Sequence, residues 1–232
     1  LPALLDSGDL ERVEEARVLG TDWVRTLGVL PNEYLYYYYF TREAIAATRR
    51  ETRGEALLGQ QSRFYDAALA DPAGARAAWE RTRRERDESY MAEARSQARD
   101  LADLEAGGYE GIAVELLAAL GSATPVTMIL NVANGTAVPG LPAEAVVEVP
   151  CAVSSGGIVP LATRPLEGAF LGLLQQVKAV EQAAVEAALT GSSRLAAAAL
   201  AQHPLVDSAG TARQLLDGYR ARIPSLDAVF TS

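Results

Sequence analysis

Residues 126 to 153, VTMILNVANGTAVPGLPAEAVVEVPCAV, decide the fold. Val126 to Val132 and Ala145 to Val153 are rich in β-branched side chains, which suit a pleated, half-buried backbone. Between them stand Asn134-Gly135 and Pro139-Gly140, both turn dipeptides, so the stretch predicts two paired strands. Pro150 has no N–H to give a ladder, which predicts a sheet edge or a bulge at that point. After Gly156-Gly157 a short extended piece follows.

Outside this stretch the chain reads as helix. Downstream, a long alanine-rich helix is predicted from Glu167 to Leu189, with Leu173, Val177, Val180 and Ala184 as its apolar stripe and Gly191 as its stop. Two more helices, Ser193 to Gln202 and Ser208 to Ile223, flank His203-Pro204. Upstream, Asp6 to Leu19 reads as a short helix capped by Ser7 or Asp9, and Thr21 to Gly28 as another turn or two. Thr41 to Leu69 carries helical apolar spacing and reads as one long helix capped by Thr41. Asp71-Pro72 pairs a capping carboxylate with a proline at the first helical position and starts a helix through Trp79. Arg81 to Arg86 alternates with Glu85, Asp87 and Glu88 as a solvated, ion-paired face. Tyr90 to Leu104 reads as helix, Gly107-Gly108 breaks it, and Tyr109 to Leu120 resumes. The expected fold is α+β, predominantly helical with a small, mostly antiparallel sheet, in a single domain over residues 1–232.

Composition narrows the chemistry. The 232 residues carry 21 Lys+Arg against 30 Asp+Glu, a net charge of −9, which argues against nucleic acid and anionic membrane as partners. At 49% hydrophobic and 22% charged, the chain has the make-up of a globular protein with a sizeable core. No apolar run approaches the roughly 20 residues that span a bilayer. The single cysteine, Cys151, rules out an internal disulfide and fits a reducing, cytoplasmic setting. With His203 as the one histidine, any Ser-His-Asp or Cys-His catalysis must run through it. The chain opens at Leu1 with neither an initiator methionine nor a leader, and so reads as a piece of a longer protein. No G-x-G-x-x-G or Walker loop is present to seat a nucleotide.

Few residues are left as chemical candidates. Tyr34 to Phe40, five tyrosines and a phenylalanine broken only by Leu35, reads as a doubly buried strand or as a helix whose tyrosines meet both core and cleft. A tyrosine serves as a base only when a cation, a metal or a hydrogen-bond donor lowers its pKa, and Arg53 is such a cation if its helix turns it toward Tyr34. Asn131 and Asn134 at a strand end suit either hairpin chemistry or binding of a sugar or phosphate. Cys151 in an apolar strand and His203 at a helix end read as structural.

Five blocks in order, LGVLPNEYLYYYYF (27–40), GGYEGIAVELLAAL (107–120), ILNVANGTAVPGLPAEAVVEVPCAV (129–153), GLLQQVKAVEQAAVEAALTGS (172–192) and HPLVDSAGTARQLLDGY (203–219), resemble the C-terminal half of family 4 glycoside hydrolases, in particular the 6-phospho-β-glucosidases. The resemblance implies an NAD- and metal-dependent glycosidase, usually a manganese enzyme. Such an enzyme oxidises the sugar at C3, removes the C2 proton, eliminates the glycosidic oxygen and then adds water. It makes Tyr34, in Pro31-Asn32-Glu33-Tyr34-Leu35, the base, and puts Arg53 beside that tyrosine and the substrate. Asn131 and Asn134 fall in the turn near the sugar phosphate or cofactor. It also implies a Rossmann half outside these residues, metal ligands matched by neither Cys151 nor His203, and so no metal-binding residue here. The isolated chain is then expected to be inactive and to hold neither NAD nor Mn2+ well. Its partners are a phosphorylated disaccharide or β-glucoside and further copies of itself. Family alternatives are a 6-phospho-α-glucosidase or an α-galactosidase; a non-catalytic binding or oligomerisation module is the alternative of a different class.

Overall fold

The computed structural model describes residues 1–50, 52–91, 94 and 109–230. They belong to two compact units, Leu1–Ala106 and Gly107–Ser232.

The first unit is helical throughout its described part. It runs α1 (Pro2–Leu5), a 3-10 turn at Gly8–Arg12, α2 (Glu14–Leu19), α3 (Thr21–Leu27), a 3-10 turn at Glu33–Leu35, α4 (Tyr36–Tyr39), α5 (Thr41–Thr48), α6 (Arg53–Ala70), a 3-10 turn at Pro72–Gly74 and α7 (Ala75–Glu88). Asp6 to Leu19 is therefore not one helix. Ser7 accepts from the Asp9 amide and opens a 3-10 turn that drives Leu10 into the core, and Val13 is extended before α2 begins. Thr41 to Leu69 also divides. Thr52 Oγ1 accepts from the Glu55 amide at 3.2 Å while the Glu55 carboxylate accepts from the Thr52 amide at 2.8 Å, a reciprocal capping box that starts α6 afresh. Thr41 caps nothing; its hydroxyl donates to the carbonyls of Tyr37 and Tyr38. Asp71 makes no side-chain cap, and α7 carries on through the arginine-rich face to Glu88, with Arg63–Glu85 and Arg83–Asp87 as ion pairs. Tyr90 and Met91 form a turn rather than opening a helix, and the remainder of Tyr90–Leu104, with Gly107-Gly108, lies outside the described residues apart from Ala94.

In the second unit α8 (Tyr109–Leu120) lays Leu116 and Ala119 against a three-stranded sheet of β1 (Val126–Ala133), β2 (Val146–Ser154) and β3 (Gly157–Pro160). The order β1-β2-β3 is antiparallel throughout. Ile129 faces Pro150 in an unbroken register, so there is no bulge. β2 is the central strand rather than an edge; its pairing with β3 runs out at Cys151 and Pro160, and the Leu161 amide still donates to the Pro150 carbonyl at 2.9 Å, so the missing N–H falls at the last rung of that ladder. Met128, Val147, Val149, Cys151 and Val153 point to one face and form the core with Ala137 and Val138. Then follow α9 (Gly168–Thr190), α10 (Ser193–Gln202), α11 (Ala209–Arg222) and α12 (Pro224–Val229). On α9 Val180 and Ala187 are buried whereas Ala184 is exposed, and Gly191 ends the helix at φ 67°. The architecture is the predominantly helical α+β fold expected, with the extended piece after Gly157 serving as a third strand.

Candidate active site

The tyrosine run is folded so that its members differ. Asn32 accepts from the Tyr34 amide at 2.9 Å and caps the 3-10 turn Glu33–Leu35, which passes directly into α4. Tyr36 falls inward and stacks on Phe40, while the Tyr34 ring is left 57% exposed. The run is thus helical, with Tyr36 in the core and Tyr34 and Tyr38 on the surface.

Tyr34 is held by Tyr90. The Tyr90 hydroxyl donates to the Tyr34 hydroxyl at 2.6 Å, and the rings meet edge to face. The same Tyr90 hydroxyl lies 3.2 Å from a Glu33 carboxylate oxygen, so one proton faces two acceptors. Burial, the hydrogen bond to Tyr34 and the Glu33 charge all push the Tyr90 phenol above its ordinary range. Tyr90 consequently keeps its proton and serves Tyr34 as a hydrogen-bond donor.

Arg53 begins α6 and reaches the turn after α7. Its guanidinium donates to Ser89 Oγ at 2.7 Å, to the Ser89 carbonyl at 3.0 Å and to the Arg86 carbonyl at 3.1 Å. Gln60 also donates to Ser89 Oγ, and its buried carbonyl oxygen has no partner among the described residues. Arg53 thus relates to Tyr34 through Ser89 and Tyr90, consecutive residues of one turn; two of its bonds go to that turn and the third to the last turn of α7.

Asn131 and Asn134 belong to the second unit. Asn131 is exposed on β1 opposite Glu148 and lines a cleft of about 610 Å³ with Thr163, Arg164, Lys178 and Glu181. Asn134 is 1% exposed and faces inward. Its amide donates to the carbonyls of Val138, Leu141 and Pro142, and its oxygen accepts from the Val138 amide at 2.7 Å. It holds the 134–145 loop together from inside.

Cys151 is fully buried, donating to the Val149 carbonyl, and His203 Nδ1 accepts from the Leu205 amide, both structural placements. Among the described residues no group of three or more His, Cys, Asp or Glu is placed to hold a metal ion. β1 and β2 join through the 134–145 loop, and β3 leads to α9 through 161–167, without the glycine-rich turn that seats a dinucleotide. The described residues fit neither group. No described helix is long and apolar enough to cross a membrane. Sequence reasoning missed Tyr90 and Ser89 as members of the Tyr34 cluster, since no local pattern joins positions 56 residues apart, and it missed Glu33, adjacent to Tyr34, because its carboxylate joins the cluster only through Tyr90.

Comparison with known proteins places this geometry in a wider setting. Residues 2–206 match the model of the family 4 glycosyl hydrolase C-terminal domain. A probable 6-phospho-beta-glucosidase of Bacillus subtilis is 28% identical over 204 residues, covering 84% of this chain and 41% of that protein. A 6-phospho-alpha-glucosidase of Leptotrichia buccalis is 27% identical over 192 residues, covering 81% of this chain and 38% of that protein. The chain therefore spans about two fifths of the length of the curated relatives it matches. The 6-phospho-beta glucosidase of Thermotoga maritima, solved with manganese, NAD+ and glucose-6-phosphate, superposes with a TM-score of 0.63 at 23% identity, over 87% of this chain and 44% of that one, and shares the fold.

Proposed function

Because the chain belongs to the family 4 glycosyl hydrolases, as their C-terminal domain, we propose that it is the substrate-binding and assembly half of a cytoplasmic enzyme that hydrolyses 6-phosphoglucosides. The observation that carries this reading is the Tyr34 hydroxyl, exposed at the surface and engaged by a phenol donor at 2.6 Å. The reaction implied by the family resemblance, C3 oxidation with NAD followed by C2 proton abstraction and elimination, asks this chain for a base. Tyr34 is that base. Its phenolate takes the C2 proton, the C–H pair passes toward the neighbouring carbonyl, and the glycosidic oxygen leaves from C1. In this reading the oxidation and the metal belong to other parts of the full enzyme, and this chain alone is inactive.

Arg53 serves by fixing the turn that carries Tyr90. Asn131, open to a cleft that also presents Arg164 and Lys178, takes a sugar or phosphate group, and Asn134 holds the loop that follows it. Assembly into homo-oligomers is supported by the exposed Val185 and Leu189 on α9; a strict monomer in light scattering at micromolar concentration would overturn it.

The test is Tyr34→Phe in the full-length enzyme. Turnover of a nitrophenyl β-glucoside 6-phosphate and exchange of the C2 hydrogen with deuterated solvent should be lost together, and exchange at the unaltered rate removes Tyr34 from the role. A second reading, α-linked substrates, is favoured by the similar identity of the Leptotrichia buccalis relative. Assays on both anomers, phosphorylated and free, decide between them.

A further inference from the structure

We propose that Tyr90 is a positioning residue that tunes the ionisation of Tyr34, with Glu33 as the rival acceptor for the Tyr90 proton. The inference rests on the reading of Tyr34 as the base. Three atoms carry it: the Tyr34 and Tyr90 hydroxyl oxygens 2.6 Å apart, and a Glu33 carboxylate oxygen 3.2 Å from Tyr90.

The Tyr90 hydroxyl donates to the Tyr34 oxygen at 2.6 Å, with a Glu33 carboxylate oxygen at 3.2 Å as the rival acceptor for the same proton. When Tyr34 gives its proton to solvent, the same bond serves the new phenolate oxygen, and 2.6 Å is the length expected of an O–H donating to an anionic oxygen. Tyr90 suits this part because its own ionisation is opposed by burial and by Glu33, so the proton stays on Tyr90.

The surroundings hold Tyr90 where that bond requires it. Arg53 fastens Ser89, the preceding residue, by two hydrogen bonds. Met91, the next residue, has φ 50° and is buried in the core of the first unit. A left-handed backbone at a side chain of that size is unfavourable and persists only where its surroundings impose it. Tyr90 is thus clamped on both sides, and its ring meets Tyr34 edge to face at 6.5 Å.

Glu33 works against the base. Its carboxylate competes with Tyr34 for the Tyr90 proton. Removing the Tyr90 hydroxyl and removing the Glu33 charge therefore have opposite effects on Tyr34. A purely structural role gives no such opposition.

The experiment uses the full-length enzyme. The ionisation of Tyr34 is read as the difference in tyrosinate absorbance between each background and the same background carrying Tyr34→Phe, across a pH titration. Tyr90→Phe keeps the ring contact and deletes only the donor, and the Tyr34 titration should rise by about one to two pH units, the size of a hydrogen bond to a charged group. The acid limb of kcat/KM for a nitrophenyl 6-phosphoglucoside should rise with it while KM stays within about twofold. Glu33→Gln should move both downward. If the Tyr34 titration is unchanged in both variants, the inference is overturned; if Tyr90→Phe does not fold, an unchanged or upward titration in Glu33→Gln overturns it. The reading of Tyr34 as base fails separately, by C2 exchange persisting in Tyr34→Phe, because the absorbance titration reports ionisation whether or not the group is catalytic.

Discussion

Arg53 and Ser89, 36 residues apart in the chain, are joined twice, through the serine hydroxyl at 2.7 Å and its carbonyl at 3.0 Å. The third bond, to the Arg86 carbonyl, completes a clamp between the start of α6 and the end of α7. All three acceptors are neutral, so the clamp depends on geometry more than on charge. Arg53→Ala should lower unfolding stability by about 2 kcal/mol, as expected for hydrogen bonds from a charged group. Arg53→Lys should restore only part of this, because an ammonium cannot span the same fork. Urea melts at low and high salt check both points, and the loss should differ little between them.

Asn134 should be the most sensitive polar position in the second unit. Its amide joins both sides of the 134–145 loop, and truncation leaves the buried Val138 N–H without an acceptor. Asn134→Ala should cost about 3 kcal/mol. Asn134→Asp keeps the shape but turns an oxygen toward the Val138, Leu141 and Pro142 carbonyls that now accept from the amide. Those carbonyls and burial raise the pKa of the introduced carboxyl in the folded state above its unfolded value. A raised acid keeps its stability below the unfolded pKa and loses it as pH rises through the folded one. Thermal melts of Asn134→Asp should therefore worsen from pH 4 to pH 7, while those of Asn134→Ala fall less steeply over that range.

The parts of this architecture legible in the sequence are those written in neighbouring residues. Alternating β-branched side chains marked β1 and β2, and a glycine at the end of an apolar stripe marked the close of α9. The break between α5 and α6 was written too, as Thr52-x-x-Glu55, but helical spacing that carries across a cap hides it. The cluster around Tyr34 was not legible, because Tyr90 reaches it across 56 residues and its own neighbourhood resembles a solvated helix. Asn131 and Asn134 lie three positions apart with the same side chain, and only the closed loop separates an open amide from one turned fully inward.

The capping box at Thr52 and Glu55 should make α6 sensitive to acid. Hydrogen bonds from the Thr52 amide and hydroxyl lower the Glu55 pKa, the backbone bond contributing most. An acid with a lowered folded pKa stabilises the fold above its unfolded pKa and loses that contribution as pH falls through the folded value. Helical circular dichroism melts should therefore show a destabilisation below the ordinary carboxylate range that is absent in Glu55→Gln. Thr52→Ala should weaken α6 at neutral pH and flatten the acid response as well. An acid response of equal size in all three proteins removes the capping box as its source.

Gly140 tests how the loop after β1 docks on α9. Pro139-Gly140 places a positive φ, 88°, at the second turn position, as a type II turn needs, and the Gly140 carbonyl accepts from Gln175 Nε2 at 2.9 Å. A methyl group here meets two difficulties. The backbone conformation costs an L-residue about 1 to 2 kcal/mol, and the added carbon stands 3.2 Å from Leu171 Cδ1, the movable end of a side chain on α9. The first is unavoidable and the second yields to a small shift of Leu171. Gly140→Ala should therefore destabilise by about 1.5 kcal/mol, mostly through the backbone. Adding Leu171→Ala should not restore it, because relief of the contact leaves φ unchanged, and recovery of most of the loss in the double variant would assign the cost to packing instead.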